Sequence, residues 1–394
     1  MVLNRFRFWI LIALVMISGL SQGMLLPLLA IILEQGGVSS SLNGLHATGL
    51  YIGVLLASPF MEKPMQKYGF KPIIIVGGLL VIISLALFPV WQSLWFWFIL
   101  RVAIGIGDNM LHFGTQTWIT STADKQTRGR SISLYGMSFS FGFAIGPLLT
   151  RLMEVNEALP FITSAMLSTI VWALMLFVRN NWPNADEDTG VTTTKESSIK
   201  RFIQTTKIAW IALLPPLAYG FLEATLHATF PIYGLRIGHD VQIFSLIIPC
   251  FAAGSLITQL PLGILSDRIG RRKILLIILT LGLACFIGAA FLEESAAALF
   301  TFFTLAGMFV GSTYSMGISY MTDLLPPNLL PAGNLLCSIA FSIGSLGGPY
   351  FGGLFIQLLP GVSFFYMIAI VLGFIIIAMV LKRNNVVDTI VDAS

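Results

Sequence analysis

Between positions 263 and 272 the chain reads Gly263-Ile264-Leu265-Ser266-Asp267-Arg268-Ile269-Gly270-Arg271-Arg272. Four charges fall within the six positions from Asp267 to Arg272, and long apolar runs flank them on both sides. Only 10% of the 394 residues are Asp, Glu, Lys or Arg, so a cluster this dense is not ordinary surface. A short, glycine-bounded charged segment between apolar runs of this length is a turn between two membrane spans.

The composition agrees. The chain is 56% hydrophobic and 12% aromatic, with a mean hydropathy of +0.88, whereas soluble domains carry about 25% charged residues. This is a polytopic membrane protein. A net charge of +4 would suggest a nucleic-acid partner in a soluble chain; here it must be judged by where the basic residues fall. Cys250, Cys285 and Cys337 lie in apolar runs without paired or metal-like spacing, so neither a disulfide framework nor a zinc site is implied. Arg5 and Arg7 precede an apolar run over 8–33, longer than the roughly 7–15-residue core of a signal peptide and without a small-x-small cleavage site, which reads as an uncleaved first span.

A span takes about 20 mostly apolar residues. That rule divides the chain into twelve, at 8–33, 42–62, 72–91, 94–120, 131–153, 158–180, 206–235, 240–265, 273–292, 296–322, 332–358 and 362–382, with Arg101 and Asp108 interrupting the fourth. If the first span starts in the cytoplasm, inward segments hold 19 of the 22 Lys and Arg; Arg151 and Arg236 face outward and Arg101 lies within a span. The positive-inside rule then places both termini in the cytoplasm. The basic balance is topology and not nucleic-acid binding. The long polar stretch 181–205 is a cytoplasmic linker between a first bundle, 1–180, and a second, 206–383, with 384–394 as a tail.

The two halves look like repeats. Gly142, Gly146 and Pro147 of the fifth span recur as Gly344, Gly348 and Pro349 of the eleventh, each 202 positions on, and Gly69 of the second loop matches Gly270, 201 positions on. The spacing Gly263-x-x-x-Asp267-Arg268-x-Gly270-Arg271-Arg272 resembles the loop signature of the major facilitator superfamily. That resemblance implies an all-α integral membrane protein of twelve transmembrane helices in two pseudo-symmetric six-helix bundles. It also implies a bacterial-type inner membrane, no cofactor, no enzymatic activity, and a monomer that meets a small-molecule substrate, protons and the bilayer.

In that family the loop braces the face that closes toward the cytoplasm. Gly263, Asp267, Arg268, Gly270, Arg271 and Arg272 would form a conformational latch, with Asp267 reaching toward residues 129–131. The first loop keeps Lys67 and Gly69 but has Gln66 where the Asp would stand, so the two latches should be unequal. Anchoring by positive-inside selection also explains the basic residues, though not Asp267. The Gly-x-x-x-Gly-Pro-x-x-Gly-Gly pattern ending at Gly353 resembles a fifth-span motif of drug/proton antiporters, yet here its full form is in the eleventh span; generic helix packing explains it equally well.

Ionisable residues inside spans carry the strongest functional signal, because an Arg or Asp at a helix centre costs about 2.5–3.5 kcal/mol on insertion scales. Arg101, Asp108 and His112 fall within about 40° of one another on the fourth span. Arg101 and Gly105 also resemble the family's Arg-x-x-x-Gly motif, linked to proton transfer. Glu223 and His227 share a face of the seventh span at i,i+4. Counting from Trp95 and Leu235, Asp108 is 13 residues deep and Glu223 is 12, so both carboxylates stand near the midplane. The family fold would line one chamber with both stripes. The plainer alternative is two neutralising pairs, Asp108 with His112 and Glu223 with His227, kept for helix packing.

Ser18 and Gln22 on the first span, Gln116 on the fourth and Tyr314 on the tenth are weaker substrate-contact candidates, more often packing polarity. His46 reads as interfacial, and Trp91, Trp95 and Trp97 as an aromatic belt. No nucleotide loop, nucleophile elbow or metal-ligand cluster is present, which disfavours ATP-driven pumping and hydrolysis. The sequence therefore reads as a secondary transporter, with proton-coupled efflux of amphipathic or drug-like molecules by alternating access as the first reading. Proton-coupling candidates are Asp108, Glu223, Arg101, His112 and His227. The alternatives are a transporter of a sugar or organic acid, and a transporter-derived sensor without turnover.

Overall fold

Lipid offers a backbone no hydrogen-bond partners, so a spanning chain must satisfy its own amides within helices. The structure, a computed structural model, describes residues 2–122, 128–182, 198–326 and 329–382; most of the expected linker and the tail fall outside them. Among the described residues every regular element is helical. Ten helices are long and apolar enough by themselves to cross a membrane. The other two expected spans are helical but interrupted. The second is split into Ser40–Ala47 and Gly49–Ala57, where the Thr48 hydroxyl donates to the Leu45 carbonyl at 2.6 Å and competes with the regular ladder. The fifth starts as Arg128–Ile145 and continues as the 3-10 helix Gly146–Glu154, since Pro147 has no N–H to extend the α-helical pattern. Pro349, in the repeat position, sits inside one unbroken helix, Leu330–Leu358.

The fourth span is a single helix, Leu94–Thr122, despite its charges. The seventh runs as Ser198–Ala228, departs from helical geometry at Ala209, and resumes after Thr229 as Phe230–Arg236. Pro231 is the cause, because it withholds the donor that the His227 carbonyl would otherwise meet.

By contact the chain forms two compact units. The first comprises Met1–Thr192 with Ala224–Ala252 and Ser345–Pro360, and the second comprises Thr193–Glu223, Ala253–Gly344 and Gly361–Ser394. In the first, small residues bring backbones together: a Cβ added at Gly142 would lie 1.9 Å from the Met16 carbonyl oxygen, and one at Gly353 would lie 2.0 Å from that of Ser40. Polar links tie the same segments: Glu34 to Arg236 at 2.7 Å, Arg151 Nε to Ser245 Oγ at 2.8 Å, and Gln242 Nε2 to Glu154 Oε2 at 3.0 Å. These contacts place the ends of the seventh, eighth and eleventh spans in the unit of the first six.

Two of the apolar clusters of that unit lie at different heights along its helices. One holds Met24, Leu25, Leu28, Leu100 and Ile104; the other holds Leu11, Leu14, Leu111 and Trp118, with Trp118 stacked on Phe70 at 5.4 Å. Ser18 and Asp108 stand between the two sets along their helices.

Gly69 and Gly270 cap their loops at φ +85° and +104°, a region that costs a non-glycine residue about 1–3 kcal/mol. A Cβ at Gly69 would also lie 2.7 Å from the Asn180 side chain, whereas Gly270 has open space around it. Gly69→Ala should therefore lower the thermal midpoint in detergent more than Gly270→Ala does. Equal losses would show that Asn180 contributes nothing at the first loop.

Candidate functional site

Asp108 is 1% exposed on the fourth span, facing the first. Ser18 Oγ donates to its Oδ1 at 2.7 Å, and Oδ2 is buried with no hydrogen-bond partner. The same Ser18 Oγ lies 3.0 Å from His112 Nε2 and receives a long bond from Gln22 Nε2 at 3.4 Å. His112 Nδ1 is 2.7 Å from the hydroxyl of Tyr135 on the fifth span. The expected direct Asp108–His112 pairing is thus mediated by a serine from another helix. Beyond Tyr135 runs a row of rings: His112 to Phe139 at 5.1 Å, Phe139 to Phe143 at 5.7 Å, and Phe143 to His227 at 4.4 Å.

Arg101 shares the stripe but not the network. It is fully buried, Nη2 reaches the Leu25 carbonyl at 3.4 Å, and Nε and Nη1 have no hydrogen-bond partner. Seven residues at about 1.5 Å each separate it from Asp108 along the helix, too far for a direct bond without a change of rotamer. His46 is buried at 2% exposure, its Nε2 3.1 Å from the carbonyl of Leu94, the first residue of the fourth-span helix. Trp91 and Trp95 are exposed as a belt requires, while Trp97 is buried and donates to the Phe88 carbonyl.

Glu223 belongs to a second cluster. Tyr219 OH lies 3.4 Å from Glu223 Oε1, and Tyr219 meets Tyr314 at 6.4 Å and Phe341 at 6.3 Å between ring centroids. Tyr314 meets Phe341 edge-on at 5.2 Å. Gln116 is exposed and contributes to neither cluster. Tyr135, Tyr219 and the phenylalanines escape sequence reasoning because a Tyr or Phe in an apolar run is indistinguishable from packing until its neighbours are known.

At the signature loop, Arg271 bridges Asp267 at 2.9 Å and Asp323 of the tenth span at 2.8 Å. Arg272 Nη2 caps the carbonyls of Met379 and Lys382 at 2.5 and 2.6 Å. Arg268 and Asp267 are exposed, as is Lys67 of the first loop. Gly263 has nothing near its missing Cβ. Asp267 is thus held within its own loop, and the side chains at 129 and 130 expected to meet it lie outside the described residues. The first loop is braced by Asn180: its Oδ1 accepts from Lys71 N at 3.0 Å and its Nδ2 donates to the Tyr68 carbonyl at 2.9 Å.

A family model described as the Major Facilitator Superfamily matches residues 11–248 and 217–390. The chain belongs to that superfamily. It is similar to YfkF of Bacillus subtilis strain 168, an uncharacterized MFS-type transporter, at 52% identity over 381 residues, covering 97% of this chain and 96% of that one. YcaD of Escherichia coli strain UTI89, likewise an uncharacterized MFS-type transporter, is 24% identical over 355 residues, 89% of this chain and 86% of its own. Among solved structures, nucleoside transporter NupG superposes with a TM-score of 0.76 at 14% identity, covering 96% of this chain and 99% of that one. A bacterial homologue of the human lysosomal transporter Spinster, inward-facing and unoccupied, gives 0.71 at 17% identity, covering 95% and 94%. At these identities the likeness is one of fold, and it is the all-helical membrane fold that the sequence predicts. The chain is a multi-pass MFS transporter.

Proposed function

We propose that this transporter is proton-coupled, with Asp108 as the site of proton binding. The observation that carries the reading is a carboxylate at mid-height between two apolar cores, one oxygen bonded to Ser18 and the other without a partner. A carboxylic acid buried this way is asked to change charge where water is scarce, and such groups in membrane helices mark ion pathways. Glu223, beside Tyr219, is a second candidate for the same work, with His112 and His227 relaying protons. The termini and the signature loops lie on the cytoplasmic side of a bacterial inner membrane, and the protein works as a monomer of two rocking six-span halves. Asp267 and Arg271 brace the cytoplasmic face.

The solute is a small amphipathic molecule carried outward. Rings dominate the surroundings of both acids, through Phe139 and Phe143 in one cluster and Tyr219, Tyr314 and Phe341 in the other, which suits a solute with an apolar or aromatic body. A second reading, transport of a polar metabolite carrying a ring, draws on the hydrogen-bonding row of Ser18, Gln22, His112 and Tyr135, and on the fold shared with a nucleoside transporter.

The deciding experiment is a flux screen in proteoliposomes with and without an imposed pH gradient, using amphipathic cations, nucleosides, sugars and organic acids as probes. Export of an amphipathic probe driven by the gradient is the expected result. Gradient-driven movement of a nucleoside alone would favour the second reading, and absence of gradient-driven flux for every probe would leave a sensor without turnover.

A further inference from the structure

We propose that Tyr135, His112, Ser18 and Asp108 form a proton wire that loads Asp108 and reverses its own hydrogen bonds as it does so. The inference rests on the proton-binding role of Asp108 proposed above. It follows from counting protons along three short contacts: 2.7 Å from Ser18 to Asp108, 3.0 Å from Ser18 to His112 Nε2, and 2.7 Å from His112 Nδ1 to Tyr135. Neutral His112, Ser18 and Tyr135 each own one mobile proton.

With Asp108 ionised, Ser18 must donate to the carboxylate, because an ionised carboxylate only accepts. Ser18 Oγ then accepts from His112 Nε2–H, which leaves Nδ1 as the acceptor of the Tyr135 O–H. A proton arriving from water at Tyr135 Oη completes the shift. The Tyr135 proton passes to His112 Nδ1, the Nε2 proton passes to Ser18 Oγ, and the Ser18 proton passes to Asp108 Oδ1. One proton enters, one is bound, and every middle member still holds one. The end state has Asp108 O–H donating to Ser18, Ser18 donating to Nε2, Nδ1–H donating to Tyr135, and the phenol hydrogen turned away from the wire. Tyr135 and His112 are half-buried and Asp108 is buried, so the wire runs inward to the carboxyl. The small cavity on the other side of Asp108 is lined mainly by Leu14, Ile17, Val81, Leu111 and Trp172 and offers Ser168 besides Ser18 as polar side chains.

Few other groups face the wire. The first span presents Ser18 and Gln22, the fourth His112 and Thr115, the latter beside the Tyr135 hydroxyl, with Arg101 turned to the Leu25 carbonyl, the fifth Tyr135, and the sixth Ser168. His227 stands beyond Phe139, on Phe143. The third span presents only Gly78, Val81 and Ile82 to that cavity. Among the described residues, no charged side chain on these elements other than Asp108 itself bonds a member of the wire.

The test needs no solute. The full chain, labelled with 15N in its four histidine rings and held in lipid nanodiscs, is followed by NMR over the pH range in which it stays folded, with the His112 signals assigned by His112→Gln. The expected result is an exchange of tautomer: Nε2 passes from pyrrole-type to pyridine-type as Asp108 takes its proton, and Nδ1 does the reverse. Ser18→Ala should abolish the exchange and Ser18→Thr, which keeps the hydroxyl, should restore it. A single tautomer throughout, conversion to imidazolium, or an exchange that survives Ser18→Ala overturns the wire. Failure of the coupling reading is separate, since it appears as absence of gradient-driven flux in the unmodified protein whatever the tautomer does.

Discussion

Asp108→Asn is expected to reduce pH-gradient-driven flux in proteoliposomes on the order of 100-fold or more, the scale on which loss of a positioned proton acceptor acts, while solute exchange without a gradient continues. The amide keeps the geometry of the carboxyl, so Ser18 still has an acceptor at 2.7 Å and the surrounding helices lose no packing. What the amide cannot do is change charge. Asp108→Ala is the poorer variant, because it strips Ser18 of its carboxylate acceptor in a buried site, at a cost of about 1–3 kcal/mol, and confuses stability with coupling. Glu223→Gln, which keeps an acceptor for the Tyr219 hydroxyl at 3.4 Å, is expected to weaken gradient-driven flux as well. If Asp108→Asn and Glu223→Gln both transport against a gradient like the unmodified protein, neither carboxylate couples protons and the proposed function is wrong.

Gly353→Ala, combined with Gly44→Ala, is expected to leave a folded protein in which the second and eleventh spans no longer touch. The added methyls would stand 2.0 Å from the Ser40 carbonyl oxygen and 2.0 Å from that of Pro349. Both obstacles are backbone, which has no rotamer to yield, so overpacking of about 1–3 kcal/mol per site is relieved only by moving the helices apart. Ser41 N lies 3.3 Å from Gln357 Oε1 across the same contact. A cysteine pair placed there by Ser41→Cys and Gln357→Cys should cross-link readily, and the glycine substitutions should suppress the product several-fold. Undiminished cross-linking would show that the contact adapts. Gly142→Ala provides the contrast: its methyl would meet Met16 at 1.9 Å between the first and fifth spans. The same clash there is expected to lower thermal stability rather than to open a contact at one end.

Two features of the chain show where sequence reading stops. Arg101, Asp108 and His112 fall on one face by helical periodicity alone, and they do lie along one helix, Leu94–Thr122. Their partners do not follow from that. Arg101 turns to Leu25, while Asp108 and His112 are joined by Ser18. Ser18 was visible only as a polar residue in an apolar run, and Tyr135 carried no signal at all. In the signature loop, Asp267 and Arg271 could be read as members of one latch, yet the Asp323 that Arg271 also bridges lies 52 positions on and on another helix. The brace at the first loop comes from Asn180, more than 100 positions from Lys71, at the very end of the expected sixth span.

By itself the sequence determined the membrane class, the order of the spans, and which helix face carries ionisable groups. All of these depend on quantities local to the chain: apolar run length, charge count, and the 3.6-residue period imposed by backbone geometry. Only the tertiary structure decided which helices meet and at what register. That is set by where glycines let backbones approach, as at Gly142 on Met16, and a shift of one residue along such a contact would carry Ser18 away from Asp108. Hydrogen bonds hold over a few tenths of an ångström; the period of a helix specifies direction, not that distance.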